Sequence, residues 1–328
     1  MPKEEQLMEI VFVEIRSEIS AGTRGASLGP DAMYIAALNA GSDLFDRHDY
    51  IELPDANEAL GKPVKHEWAK RIESLMEVFH SIVPEISRVV RENRKFPIVI
   101  AGAHGTAAAT IKGLKAAHPD KRLGVIWIDA HGDLHSPYTT PSGNMHGMPL
   151  CIALREDNYA CRRRDLSKET ITAWEQIKKL GGEEAFIRPE DLVLVGVRDM
   201  EREEWEIIRE REIKHIPVSS IREKGTYRVA EKILQHLKDC DSIFLSLDVD
   251  AMDSSFVSGT GTPCIGGLTP GESRDLLLEL LQDPRICCLE IAEVNPTLDM
   301  QGNRTAEIAF EILDAAVATI QTERQNQA

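Results

Sequence analysis

Asp129, His131 and Asp133 stand at alternate positions directly after an apolar run from Leu123 to Ile128. Asp248 and Asp250 repeat that spacing after the run FLSL, with Asp253 close behind. If the chain stays extended past the apolar run, side chains two apart lie on one side of it. Two carboxylates and an imidazole then face one point. A buried strand cannot end that way uncompensated, because burying an unpaired carboxylate is very costly. A metal ion is the simplest compensation.

Two more apolar stretches end in the same residue types: 97–101 leads to His104, and 286–292 leads to Glu293. Taken together, Asp129, Asp133, Asp248 and Asp250 with His104 and His131 carry too much negative charge for one divalent ion but would neutralise two. Mixed carboxylate and imidazole donors suit Mn or Zn rather than Ca. Two such ions about 3.5–4 Å apart share carboxylates and bridge a hydroxide, a nucleophile ready at neutral pH. Singly, the residues have plainer readings: His104 as a locally bonded turn residue, Asp253 as a cap or turn residue, His146 as an exposed loop residue. Their convergence is what points to hydrolysis at a weakly electrophilic carbon.

The elements that must position these groups alternate between strand and helix. Strands are expected at 8–14, 97–101, 123–128, 191–197, 242–250 and 286–294. Helical patterns cover 65–93 (with Pro84 breaking or kinking it), 105–118, 167–180, 201–212, 226–238, 271–281 and 303–320. A Gly/Ser-rich loop at 21–29 leads into Pro30 and a short helix, a long polar, flexible loop runs to about 147, and the polar tail 321–328 is expected to fray. This alternation predicts an α/β fold: a single three-layer αβα domain over 1–328 with a mostly parallel central sheet. In such sheets the ligand site lies beyond the carboxyl ends of the strands.

Composition narrows the function. The chain has 328 residues, 54 acidic against 38 basic, and a net charge of -16, the opposite of a nucleic-acid footprint. Residues 1–20 lack a signal-peptide pattern, and no apolar run reaches bilayer length, so a cytoplasmic protein without membrane contact is expected. Six scattered cysteines without a CxxC read as free core thiols. The segment GAHGTAAAT has neither a GKS/GKT end nor a spaced GxGxxG, which argues against nucleotide binding.

DAHGD (129–133), TTPSGNMHGMP (139–149), SLDVDAMDSSF (246–256), GTGTP (259–263) and EVNPTLD (293–299) resemble the motifs of the ureohydrolase family, and are most similar to those of the arginases within it. The match runs from about Pro97 to Asp299. It implies two manganese ions per subunit, one held by His104, Asp129, Asp133 and Asp248, the other by Asp129, His131, Asp248 and Asp250. It implies a catalytic set of His146 as proton-transferring group, Glu293 as guanidinium partner and Asp133. Ser142, Asn144, Thr262, His135 and Glu201 fall at substrate-binding positions, although His135 and Glu201 stand where the arginases usually carry Asn and Asp. The implied reaction converts L-arginine to L-ornithine and urea through a metal-bridging hydroxide, in a homo-oligomer, trimer or hexamer. Agmatinase, formimidoylglutamase, another guanidino-acid hydrolase and a non-catalytic relative are the alternatives. AGAHGT (101–106) departs from the family's GGDHS, so the cation bound by His104 is expected to be held more weakly.

Overall fold

The computed structural model describes residues 8–92 and 94–325. Eight strands form one sheet: β1 (Glu9–Ile15), β2 (Asp49–Leu53), β3 (Lys95–Ala101), β4 (Leu123–Ile128), β5 (Leu192–Val195), β6 (Lys214–Ile216), β7 (Ser242–Asp248) and β8 (Ile286–Ala292). Their order is β2-β1-β3-β8-β7-β4-β5-β6, and every pairing is parallel. Parallel strands need crossovers, and helices supply them on both faces. Phe12, Ile98, Ile128, Leu245 and Ile291 pack under the helices Gly29–Asn39, Thr226–His236, Pro270–Leu281 and Arg304–Gln325. Val13, Val99, Trp127, Phe244 and Cys288 pack under Ile72–Arg91, Ala107–Ala117 and Lys168–Lys179. This is the expected αβα sandwich, and the sheet is parallel throughout.

Three local expectations are corrected. Helix Ile72–Arg91 passes through Pro84 unbroken. Proline removes the hydrogen bond to the carbonyl four residues back, and here both Pro84 and His80 are exposed, where water can take that carbonyl. The helix also begins later than residue 65, because Arg71 adopts a left-handed conformation (φ 58) immediately before it. The final helix continues past residue 320 to Gln325, so the segment 321–325 is helical, while residues 326–328 lie outside the described residues.

Two strands had no sequence signal. β2 carries charged, largely exposed residues, and β6 is three residues long. Both are sheet edges, where one face and one hydrogen-bonding side meet solvent and the apolar run of a central strand is not required. The six cysteines are free thiols, as expected. Among the described residues no helix is long and apolar enough to cross a membrane.

Candidate metal centre and active site

β3, β4, β7 and β8 lie side by side, in the order β3-β8-β7-β4, so their carboxyl ends deliver His104, Glu293, Asp248 and Asp129 to one place. The strand pleat does not carry the acid pairs onward as expected. β4 stops at Ile128 and β7 at Asp248, and each chain then turns. The first acid of each pair closes the turn: Asp129 Oδ1 accepts the His131 N–H at 2.7 Å, and Asp248 Oδ1 accepts the Asp250 N–H at 2.8 Å. Aspartate favours this local bond two residues on. The alternate spacing is therefore a requirement of two matching turns rather than of an extended strand.

The turns build two adjoining groups of donor atoms. His104, Asp129 and Asp248 offer ligand atoms within 4.8 Å of one another, as do Asp129, His131 and Asp250. His104 Nδ1 lies 3.1 Å from Asp129 Oδ2, 3.2 Å from Asp248 Oδ2 and 3.6 Å from Asp133 Oδ2. It is fully buried and makes no hydrogen bond to any of them. His131 Nδ1 lies 3.1 Å from Asp250 Oδ2 and 3.4 Å from Asp129 Oδ1. Asp129 belongs to both groups; Asp248 belongs to the first, its other oxygen being taken by the Asp250 N–H.

A buried imidazole nitrogen aimed at three carboxylate oxygens without bonding to one of them is the geometry of a cation ligand. Charge leads to the same place. Burial, then the neighbouring Asp129, pushes Asp133 well above the carboxylate range, and burial with Asp250 and Asp129 does the same to Asp248. Burial works against a charged His131, yet Asp250 and Asp129 outweigh it and hold the ring well above its usual range. Added positive charge would let all four acids ionise. The donor set fits two hard-to-borderline divalent ions.

Residues that carried no chemical signal in the sequence fix this set. His104 stacks on Trp127 with ring centroids 3.9 Å apart and planes 7° from parallel. Its Nε2 is 2.8 Å from Ser246 Oγ. Trp127 Nε1 donates to Asp129 Oδ2 at 2.9 Å. Arg198 Nη2 donates to Asp250 O at 3.0 Å and Cys264 O at 2.9 Å, clamping the turn that carries Asp250. The only hint was position: Trp127 and Ser246 each lie two residues before a ligand acid. Asp253 proves to be a turn residue, accepting from the N–H groups of Ser255, Gly266 and Gly267.

Glu293 leaves β8 in a left-handed conformation, φ 65, and Asp133 does so after β4, φ 50. Holding a non-glycine residue there costs roughly 1–3 kcal/mol, which the surrounding packing must offset. Glu293 Oε1 accepts the His104 N–H at 2.8 Å and lies 3.9 Å from His146 Nδ1. Burial raises the Glu293 carboxyl to about 7. Burial, then the charge of His131, lowers the His146 imidazole below its usual range, and a quarter of its side chain meets solvent.

The loop from His135 to Gly147, expected to be flexible, is tied down. His135 N bonds Gly147 O at 3.0 Å, His146 N bonds Ser20 O at 3.1 Å, and Lys70 N bonds Gly143 O at 2.8 Å. It walls a cavity of about 140 Å³ that also reaches His104, His131, Asp133, Asp248 and Asp250. Ser142, Asn144, His146, His135, Glu201 and Thr262 line the same cavity. Three of them already pair with other side chains. Thr262 Oγ1 donates to Asp250 Oδ2 at 2.9 Å, and His135 Nε2 sits 2.9 Å from Glu201 Oε2. A larger open groove of about 1150 Å³ runs past Lys214 and Lys232 at the β6 edge and contains none of the acid and histidine groups above.

An all-parallel αβα sheet whose central strand ends carry two linked His/Asp groups defines the class: an α/β protein with a candidate two-metal site beyond the carboxyl ends of its strands. Residues 8–318 match the model of the arginase family, and the chain belongs to that family. It is 35% identical over 313 residues to an arginase of Bacillus caldovelox, covering 93% of this chain and 96% of the relative. The solved structure of Bacillus caldovelox arginase superposes with a TM-score of 0.77 at 33% identity, over 94% of this chain and 98% of the other. Formimidoylglutamase of Bacillus subtilis shares the fold, with a TM-score of 0.70 at 21% identity over 96% and 88% of the two chains.

Proposed function

We propose that this chain hydrolyses the guanidinium group of L-arginine to L-ornithine and urea with two manganese ions per subunit. The observation that carries the reading is the pair of donor groups joined at Asp129, with Glu293 and His146 3.9 Å apart beside them. His104, Asp129, Asp133 and Asp248 would hold one ion, and Asp129, His131, Asp248 and Asp250 the other. When bound, such a pair supplies Lewis acidity and a nucleophile ready at neutral pH.

The chain's own residues do the rest. Glu293 presents a buried carboxylate, already aligned by the His104 N–H, to the planar guanidinium, which favours paired charge-assisted hydrogen bonds. That pairing orients the carbon over the donor groups. Water adds to the carbon, the bond to the alkyl nitrogen breaks, and His146 delivers the proton that the departing amine needs. Ser142 and Asn144 meet the far end of the substrate at the cavity mouth. The same reading includes a homo-oligomer, trimer or hexamer, in the cytoplasm.

A second reading, hydrolysis of another guanidino compound, is favoured by one observation: His135 and Glu201 are bonded to each other. Urea release from manganese-loaded protein, measured with L-arginine, agmatine and guanidino acids side by side, decides between them. L-Arginine is expected to be the best substrate. No urea from any of them, with both ions bound, overturns the function itself.

A further inference from the structure

We propose that His135, Glu201 and Glu204 form a third cation site, separate from the pair of donor groups joined at Asp129, that takes a zinc ion and closes the cavity when filled. The existence of this site does not depend on the substrate assigned above. Its effect on turnover rests on the guanidino-hydrolase reading.

The three residues offer donor atoms within 4.8 Å of one another, and they share no member with the other two groups. His135 Nε2 is 2.9 Å from Glu201 Oε2 and 3.4 Å from Glu204 Oε2. Donors on tetrahedral zinc stand roughly 3.3–3.5 Å apart, because each lies about 2.0–2.2 Å from the metal. The contact with Glu204 already has that spacing. The shorter one opens by a small movement of Glu201, which starts the helix Arg202–Glu210 with 42% of its side chain exposed.

His135 and Glu204 are buried, and both are oriented from behind, as ligand side chains are. Thr139 Oγ1, 3.1 Å from His135 Nδ1, accepts the Ser136 N–H at 3.0 Å and directs its own hydrogen toward Ser136 O. It therefore accepts from Nδ1 as well, which leaves the neutral ring a bare lone pair on Nε2. Glu204 Oε1 accepts the Leu134 N–H and its Oε2 the Glu201 N–H, each at 3.1 Å. A lone pair and two carboxylate oxygens aimed at one spot call for positive charge between them. A proton on Nε2 bonds well to Glu201 alone, whereas a divalent ion takes all three.

Donor chemistry chooses the ion. One imidazole and two carboxylates suit manganese or zinc, and at a given site of this kind zinc binds more tightly than manganese. The site also belongs to this chain's departure from the arginase pattern, since an Asn at position 135 would supply no imidazole nitrogen. His135, Glu201 and Glu204 line the same cavity of about 140 Å³ as His131, Asp133 and His146. An ion held there stands in the space that a substrate has to enter.

The test adds zinc to manganese-loaded protein, removes unbound metal by gel filtration and counts both metals by mass spectrometry. Wild type is expected to keep its manganese and gain one zinc per chain. His135→Ala should lose that zinc, and Glu201→Gln should bind it at least tenfold more weakly in a calorimetric titration. Circular dichroism checks that both variants fold; if His135→Ala does not, Glu201→Gln at the exposed position carries the contrast. With zinc bound, urea release from L-arginine by wild type should fall at least fivefold, while His135→Ala stays within twofold of its own zinc-free rate. No zinc gained, zinc gained only as manganese is lost, or zinc kept equally by wild type and both variants overturns the site. Zinc gained in the expected pattern without loss of urea release overturns the closure of the cavity. The same pattern in a protein that holds no manganese or hydrolyses no guanidino compound leaves the site standing, and it is then the hydrolase reading that fails.

Discussion

Glu293 Oε1 accepts the backbone N–H of His104 at 2.8 Å, tying the candidate guanidinium partner just after β8 to a candidate metal ligand after β3. One carboxylate thus sets the position of two different functions.

Glu293→Gln separates them. The amide oxygen still accepts the His104 N–H, so metal binding and melting temperature should change little. The charge facing the guanidinium is lost, and transition-state stabilisation should fall by about 2–5 kcal/mol, the range for truncating one partner of a buried charged pair. Steady-state kinetics alongside a thermal melt checks this. A large loss of metal affinity would show that the charge of Glu293 supports His104 as well.

Asp250→Asn removes a donor from the His131 group while keeping shape. Urea release should fall by more than the roughly 10–100-fold that losing an outer-shell partner costs. Far-UV circular dichroism should stay native. An unfolded variant would mean that the acidic cluster is structural.

Ser246→Ala leaves the Trp127 stack in place and removes the hydroxyl 2.8 Å from His104 Nε2. Manganese affinity should drop roughly 10–100-fold at the His104 group and far less at the His131 group. In unaltered protein the His104 group is expected to fill second in a calorimetric titration. Equal filling would show that Ser246 makes good what AGAHGT lacks.

Gly143→Ala strains the loop that carries Ser142, Asn144 and His146. Gly143 has φ +76, and an added Cβ would lie 2.0 Å from the Glu67 carbonyl oxygen. Left-handed backbone costs a non-glycine residue about 1–3 kcal/mol before any clash. A melting temperature lower by several degrees, with a loss of kcat/KM for L-arginine beyond what stability explains, is the expected outcome.

The central strands were legible because a parallel sheet buries both faces of each strand, leaving runs such as LGVIWI that no amphipathic helix would carry. Their polar ends were legible for the same reason: Asp129 or Asp248 after such a run is conspicuous. β2 and β6 lacked that signature at the solvent-facing edges. What pairs with what at the cavity mouth was also hidden. His135 and Glu201 lie 66 positions apart, and neither spacing nor composition says that they meet. Trp127, Ser246 and Arg198 resemble ordinary core or turn residues until the histidine or carbonyl that each one holds is seen.

The strand order has a consequence in time. β3 lies against β8, so His104 and Glu293 come together across 189 positions of chain. Pairings between distant segments form late, because loop closure must be met before any contact rewards it. A chain emerging from the ribosome can form β1, β3 and β4 long before β8 exists. Until β8 slots between β3 and β7, His104 stays apart from Asp129 and Asp248, whereas the group of Asp129, His131 and Asp250 needs only the direct pairing of β4 with β7. Completion of the His104 group is therefore a late step of folding, reached only by chains that have placed their final strand.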